Sequence, residues 1–157
     1  MKITRPLPKK IAFTPEGYQK LKDDFEKYTQ KRPTAVNNLR TAREMGDLSE
    51  NGAYKAARFE LSDIDRQLRR LKYLIRFGVV VEKQTSDTVN FGSRVTLDDG
   101  KKKMTFQLVG GYESNPKQEK LSIYSPIGRA VLNRKVGDQI TVTAPAGSKI
   151  YTIVKLE

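Results

Sequence analysis

The chain reads as α+β, an N-terminal antiparallel coiled-coil helical hairpin followed by a small antiparallel sheet domain with one short helix. Three observations give this reading. Up to Phe77, apolar residues recur at alternating spacings of three and four, the period of a helix that buries one stripe. Past that point they fall into short β-rich runs separated by Gly, Asp and Pro, the pattern of strands and turns. The two helical stretches are separated only by a short break at residues 46–51, which leaves room for little more than an immediate reversal.

In chain order, residues 1–13 form a basic N-terminal tail. Thr14 then suits a helix N-cap with Pro15 at the first helical position, and Phe13 and Tyr18 occupy the two positions of a hydrophobic staple. Tyr18, Leu21, Phe25 and Tyr28 begin a seam that continues in register through Arg32, Ala35, Leu39 and Ala42. Arg32 interrupts the apolar run, and Pro33 is expected to bend or locally break the helix. Gly46 fits a helix C-terminal position. A second seam of Tyr54, Ala57, Leu61, Ile64, Leu68, Leu71 and Ile75 keeps the coiled-coil spacing without a fault. Residues 14–77 are therefore read as the hairpin, and residues 46–51 as its tip, carried on an arm on the order of 45 Å long.

Residues 78–157 form the sheet domain, with strands expected at 79–82, 94–97, 104–109, 121–124, 140–143 and 150–154. Asp98-Asp99-Gly100, Gly137-Asp138 and Pro145-Ala146-Gly147 mark turns. A short helix is expected from Ser125 as N-cap and Pro126 at the first helical position.

Composition narrows the chemistry. With no cysteine and no histidine, disulfides, Cys- or His-based zinc sites and Ser-His or Cys-His nucleophile pairs are excluded. A metal would be held by oxygen, which points to hard ions such as magnesium. The net charge of +12 implies acidic partners, nucleic acid or a protein surface that handles it. Residues 1–77 carry 18 Lys and Arg against 10 Asp and Glu, so the hairpin half is the more basic one. No apolar run approaches the roughly 20 residues that span a bilayer, and the basic start is not followed by an apolar signal-peptide core. A cytoplasmic setting with no membrane partner is expected.

The tip presents Asp47 and Glu50 three residues apart at the start of the second helix. The spacing is that of a capping box, and Ser49 is an alternative N-cap. It also brings two carboxylates to one end of the arm. Two carboxylates cannot fill an octahedral magnesium shell, so a site built on them takes its remaining ligands from another molecule. Arg43 and Arg58 flank the tip on opposite helices. They are placed to meet RNA phosphates, or to form surface bridges to Glu44 or Glu60. Arg66, Arg69, Arg70 and Lys72 continue the basic character down the second helix and read as a solvated face.

Residues 14–21 (Thr-Pro-Glu-Gly-Tyr-Gln-Lys-Leu), 42–51 (Ala-Arg-Glu-Met-Gly-Asp-Leu-Ser-Glu-Asn) and 125–130 (Ser-Pro-Ile-Gly-Arg-Ala) resemble, in order and separation, the bacterial Gre transcript-cleavage factors. So do Gly137-Asp138 and Pro145-Ala146-Gly147. The resemblance implies an FKBP-like fold for the sheet domain. It also implies a role as a monomeric activator of bacterial RNA polymerase: the sheet domain docks at the rim of the secondary channel, and the hairpin enters to stimulate cleavage of backtracked RNA at its 3′ end. By position, Asp47 and Glu50 would be the acids that assist a Mg2+ ion shared with the polymerase, and Ser49 and Asn51 would shape the tip. Arg43 and Arg58 would face the transcript, and Ser125, Pro126 and Ile127 would lie at the docking surface. Three alternatives remain at this stage: a channel-binding inhibitor of the same family, a prolyl isomerase suggested by the fold alone, and a nonspecific RNA-binding coiled coil.

Overall fold

The computed structural model describes residues 10–45, 52–145 and 147–157. Tip residues 46–51, tail residues 1–9 and Ala146 lie outside this set. The chain divides into two compact units, one of Tyr18–Gly78 and the other of Ile11–Gly17 with Val79–Glu157.

Helix α1 spans Pro15–Glu44 and α2 spans Gly52–Phe77. Their seam is the one the spacing predicts: Ala35, Ala42, Ala57, Ile64 and Leu71 are buried, with Leu21, Phe25, Leu39, Leu61 and Leu68 half-buried beside them. Two cross-links fix the antiparallel sense. The Tyr18 hydroxyl donates to the carbonyl of Ile75 at 3.0 Å, and Arg32 Nε donates to Asp65 Oδ1 at 2.7 Å. The expected break at Pro33 does not occur, and α1 runs through it. A missing amide costs about 3 kcal/mol in a helix interior. Here the neighbouring Arg32, the polar residue in the seam, ties this stretch to α2 by also placing Nη2 3.4 Å from Asp65 Oδ2.

The second unit starts with a strand in the segment expected as tail. Strand β1 (Ile11–Phe13) pairs with β2 (Gly78–Val80), and the Val81 amide extends the pairing to the carbonyl of Phe13 at 2.9 Å. Phe13 is fully buried, with its ring 6.4 Å from that of Tyr112. Thr14 is the expected N-cap, its Oγ1 accepting from the Gly17 amide at 3.0 Å. A capping box would take a carboxylate from three residues on, but that position is Gly17. The carboxylate comes instead from Glu113, 99 residues away, which accepts from the Thr14 amide at 2.9 Å and from its hydroxyl at 2.5 Å. A Cβ on Gly17 would lie 1.8 Å from Glu113 Oε1, so the glycine makes room for the distant cap.

A five-stranded sheet follows, formed by β3 (Arg94–Asp98), β4 (Lys103–Val109), β5 (Lys120–Ser122), β6 (Gln139–Ala144) and β7 (Gly147–Leu156) in the order β5-β4-β3-β7-β6. It is antiparallel except at one edge, where β4 and β5 run parallel. The loop between those two strands carries the chain back only as far as Gln107, beside which β5 begins, with a single 3-10 turn at Pro116–Gln118. At the β3–β4 turn, the Asp99 carboxylate accepts from the amides of Lys102 and Lys101, at 2.8 and 2.9 Å, and these bonds hold it below its ordinary pKa. Val95, Leu97, Leu108, Ile153 and Val131 are fully buried; they form the core between the sheet and α3 (Pro126–Val131). Gly128 is the point of closest approach, because a Cβ there would sit 2.2 Å from the Ser122 carbonyl oxygen.

Three outcomes follow for urea unfolding. Glu113→Ala leaves the nearly fully buried Thr14 amide unpaired and destabilises the fold by about 1–3 kcal/mol. Gly128→Ala overpacks the contact between α3 and the backbone before it, costing about 1–3 kcal/mol. The hydrogen bond from Arg32 holds Asp65 below its ordinary value of 3.8; the stabilisation is therefore present above that value and lost as pH falls through the lowered one. Wild type and Asp65→Asn should differ near neutrality and coincide once the wild-type carboxyl is protonated.

Candidate functional site

Asp47, Ser49, Glu50 and Asn51 lie outside the described residues, so the site is approached from the helix ends that lead to them. Helix α1 closes at Glu44, with the Met45 amide 3.4 Å from the Ala42 carbonyl, and α2 opens at Gly52. Since the helices are antiparallel, both ends lie at the same end of the hairpin, and the acidic motif is the connection between them.

Arg43 lies in the last turn of α1, where a cation complements the negative end of the helix dipole. Continuing the Arg32–Asp65 pairing along both helices sets Arg58 within about one turn, roughly 6 Å, of the level of Arg43. Both side chains are exposed. Glu44, one candidate partner for Arg43, is taken by Arg40 at 3.3 Å. Among the described residues, neither Arg43 nor Arg58 has an ion-pair partner.

The second unit carries the expected docking residues on α3. Ser125 caps the helix, accepting from the Gly128 amide at 3.0 Å while its hydroxyl donates to the Ser122 carbonyl at 2.7 Å. Arg129 Nε donates to the carbonyl of Tyr124 at 2.9 Å. These bonds hold Pro126 and Ile127 at the mouth of a cavity of about 370 Å³, with Leu121, Val142, Lys149 and Tyr151 among its other lining residues. The sequence pointed to Ser125, Pro126 and Ile127 but not to the strand residues opposite. A strand was expected at 150–154, but only the β6–β7 register, which pairs Ile140 with Tyr151, puts Val142 and Tyr151 on one wall.

Among the described residues, no group of three or more Asp or Glu is placed to hold a metal ion.

Comparison with known proteins places both halves. A family model described as "Transcription elongation factor, N-terminal" matches residues 11–80, and one described as "Transcription elongation factor, GreA/GreB, C-term" matches residues 83–157. The transcription elongation factor GreA of Neorickettsia sennetsu is 38% identical over 154 residues, covering 95% of this chain and 97% of the relative. That of Rhodopseudomonas palustris is 40% identical over 153 residues, covering 94% and 97%. Among solved structures, the GreA factor homolog 1 protein of Thermus thermophilus aligns over 95% of this chain and 99% of its own, at 25% identity and a TM-score of 0.46. With its two halves matched in order and relatives of this identity aligned over nearly its whole length, the chain belongs to the GreA/GreB family of transcription elongation factors.

Proposed function

We infer that this elongation factor works by completing the active site of a stalled bacterial RNA polymerase, so that the polymerase cleaves its own backtracked transcript. One observation carries the reading: in a chain of this family, the motif Gly46-Asp47-Leu48-Ser49-Glu50-Asn51 is the direct connection between two long antiparallel helices. Such an arm presents its connecting residues to a partner, and two carboxylates at that position suit a site that already holds other oxygen ligands.

In this proposal the sheet unit docks beside the secondary channel through Ser125, Pro126, Ile127 and the apolar cavity they border, which offers a protein partner a surface to bury. The hairpin enters the channel. Asp47 and Glu50 would hold a magnesium ion jointly with polymerase ligands, and such an ion supplies Lewis-acid polarisation of the phosphodiester and a more acidic water. The carboxylates orient that water by accepting its hydrogens. Ser49 and Asn51 set the conformation of the connection, and Arg43 and Arg58 neutralise phosphates near the RNA 3′ end. The protein is then no nuclease by itself but half of a catalytic centre, acting as a monomer in the cytoplasm.

The test is a backtracked elongation complex with end-labelled RNA. Wild type accelerates magnesium-dependent cleavage; Asp47→Ala and Glu50→Ala each lose about two orders of magnitude of that stimulation while still competing with wild type for polymerase. Full stimulation by both variants would refute the mechanism. Slower cleavage with wild type than with no factor would identify a channel-binding inhibitor instead.

A further inference from the structure

Of the side chains that line the cavity beside α3, Leu121, Pro126, Ile127 and Val142 are hydrocarbon, and Tyr151 adds an aromatic ring. Ser125 has no hydrogen bond left to give a ligand, because its hydroxyl accepts from the Gly128 amide and donates to the Ser122 carbonyl. Lys149 is the single charged residue of the lining. It is exposed and, among the described residues, has no ion-pair partner. Asp99 feels the charge of Lys149, but its carboxylate is already held by the amides of Lys101 and Lys102. No acid lines the cavity.

Size and charge together select a ligand. An aliphatic cavity of about 150 Å³ inside a protein holds benzene, so about 370 Å³ has room for two fused rings or for one ring with a side chain. Small-molecule sites are mostly apolar clefts of about 300–1,000 Å³ in which a few polar groups fix the orientation of the ligand. Here the group able to do so is a cation on a flexible stem at the open side. The complementary molecule has an apolar body and one anionic head. Its rings would leave water for hydrocarbon walls, while the head pairs with the Lys149 ammonium and stays hydrated. A cationic head on the same body would meet Lys149 as a like charge.

We propose that this cavity is a binding site for a small apolar carboxylate, an arylacetate-sized molecule with its rings against Ile127, Val142 and Tyr151 and its carboxylate on Lys149. Binding is a property of the free chain. It therefore stands apart from the docking role given above to Pro126 and Ile127.

The probe is naphthylacetate, titrated into the isotope-labelled full chain without polymerase while the amide resonances are followed. Those of Ile127, Val142, Lys149 and Tyr151 shift and saturate with a Kd of about 1 mM or below, and those of α2 stay in place. Naphthylethylamine, with the same rings and the opposite charge, binds at least about tenfold more weakly. Lys149→Gln weakens naphthylacetate about threefold and Lys149→Glu at least about fivefold. Both variants keep the wild-type unfolding midpoint, because the side chain is exposed. Three results would overturn the proposal: no saturable shift at about ten times that concentration, equal affinity for the acid and the amine, or a Lys149→Glu chain that binds as wild type does. None of them bears on docking, which is read separately with polymerase present.

Discussion

One apolar seam, spaced alternately three and four, makes the hairpin possible. A pair of helices has only one side on which to hide hydrocarbon, so its stability rests on whatever that side can bury. Near the tip the buried seam positions are Ala35, Ala42 and Ala57, with Leu39 and Leu61 half-buried among them, and further back they are Ile64 and Leu71. Alanine maximises helix propensity and lets backbones approach closely, while Ile and Leu supply transfer free energy of about 1.5–3 kcal/mol each when fully buried. The polar interruption at Arg32 is turned to use by Asp65, which gives the pairing a register that hydrocarbon alone would specify less sharply.

The sheet unit obeys a different constraint, the satisfaction of backbone groups at close quarters. Thr14 is almost completely buried, and its amide and hydroxyl both end on one carboxylate from a distant loop. Gly17 and Gly128 are there because neighbours occupy the space a side chain would need. Ser125 accepts one bond and donates another to hold the start of a six-residue helix, and that helix in turn sets Pro126 and Ile127 at the mouth of the apolar cavity.

Features that depend on residues close in sequence were legible before the fold was known. The seam, the Thr14 and Ser125 caps, the Asp98-Asp99-Gly100 turn and most strands of the sheet are local, and each is written in a few consecutive positions. What escaped depends on residues far apart. Nothing within residues 1–13 marks Ile11–Phe13 as a strand, because its partner is β2. Glu113 carries no mark of a cap, and the parallel β4–β5 pair needs a connection whose path no periodicity encodes. The proline at position 33 was over-read because its local penalty was visible and the cross-helix ion pair beside it was not. At the tip the difficulty is of another kind: Asp47 and Glu50 satisfy a capping pattern and a metal-assisting one equally well, and local sequence has no term that separates them.

Strand β6 gives the charge of this protein a second role. It forms one edge of the five-stranded sheet, and its sequence, Gln-Ile-Thr-Val-Thr-Ala, contains no charged residue and no proline. Such an edge is open to pairing with another chain. The proline that follows limits its length, but the broader safeguard is colloidal: copies that each carry +12 repel one another before two edges can meet. Salt that screens this charge removes the repulsion between copies, so the open edge of β6 becomes free to find a partner as ionic strength rises.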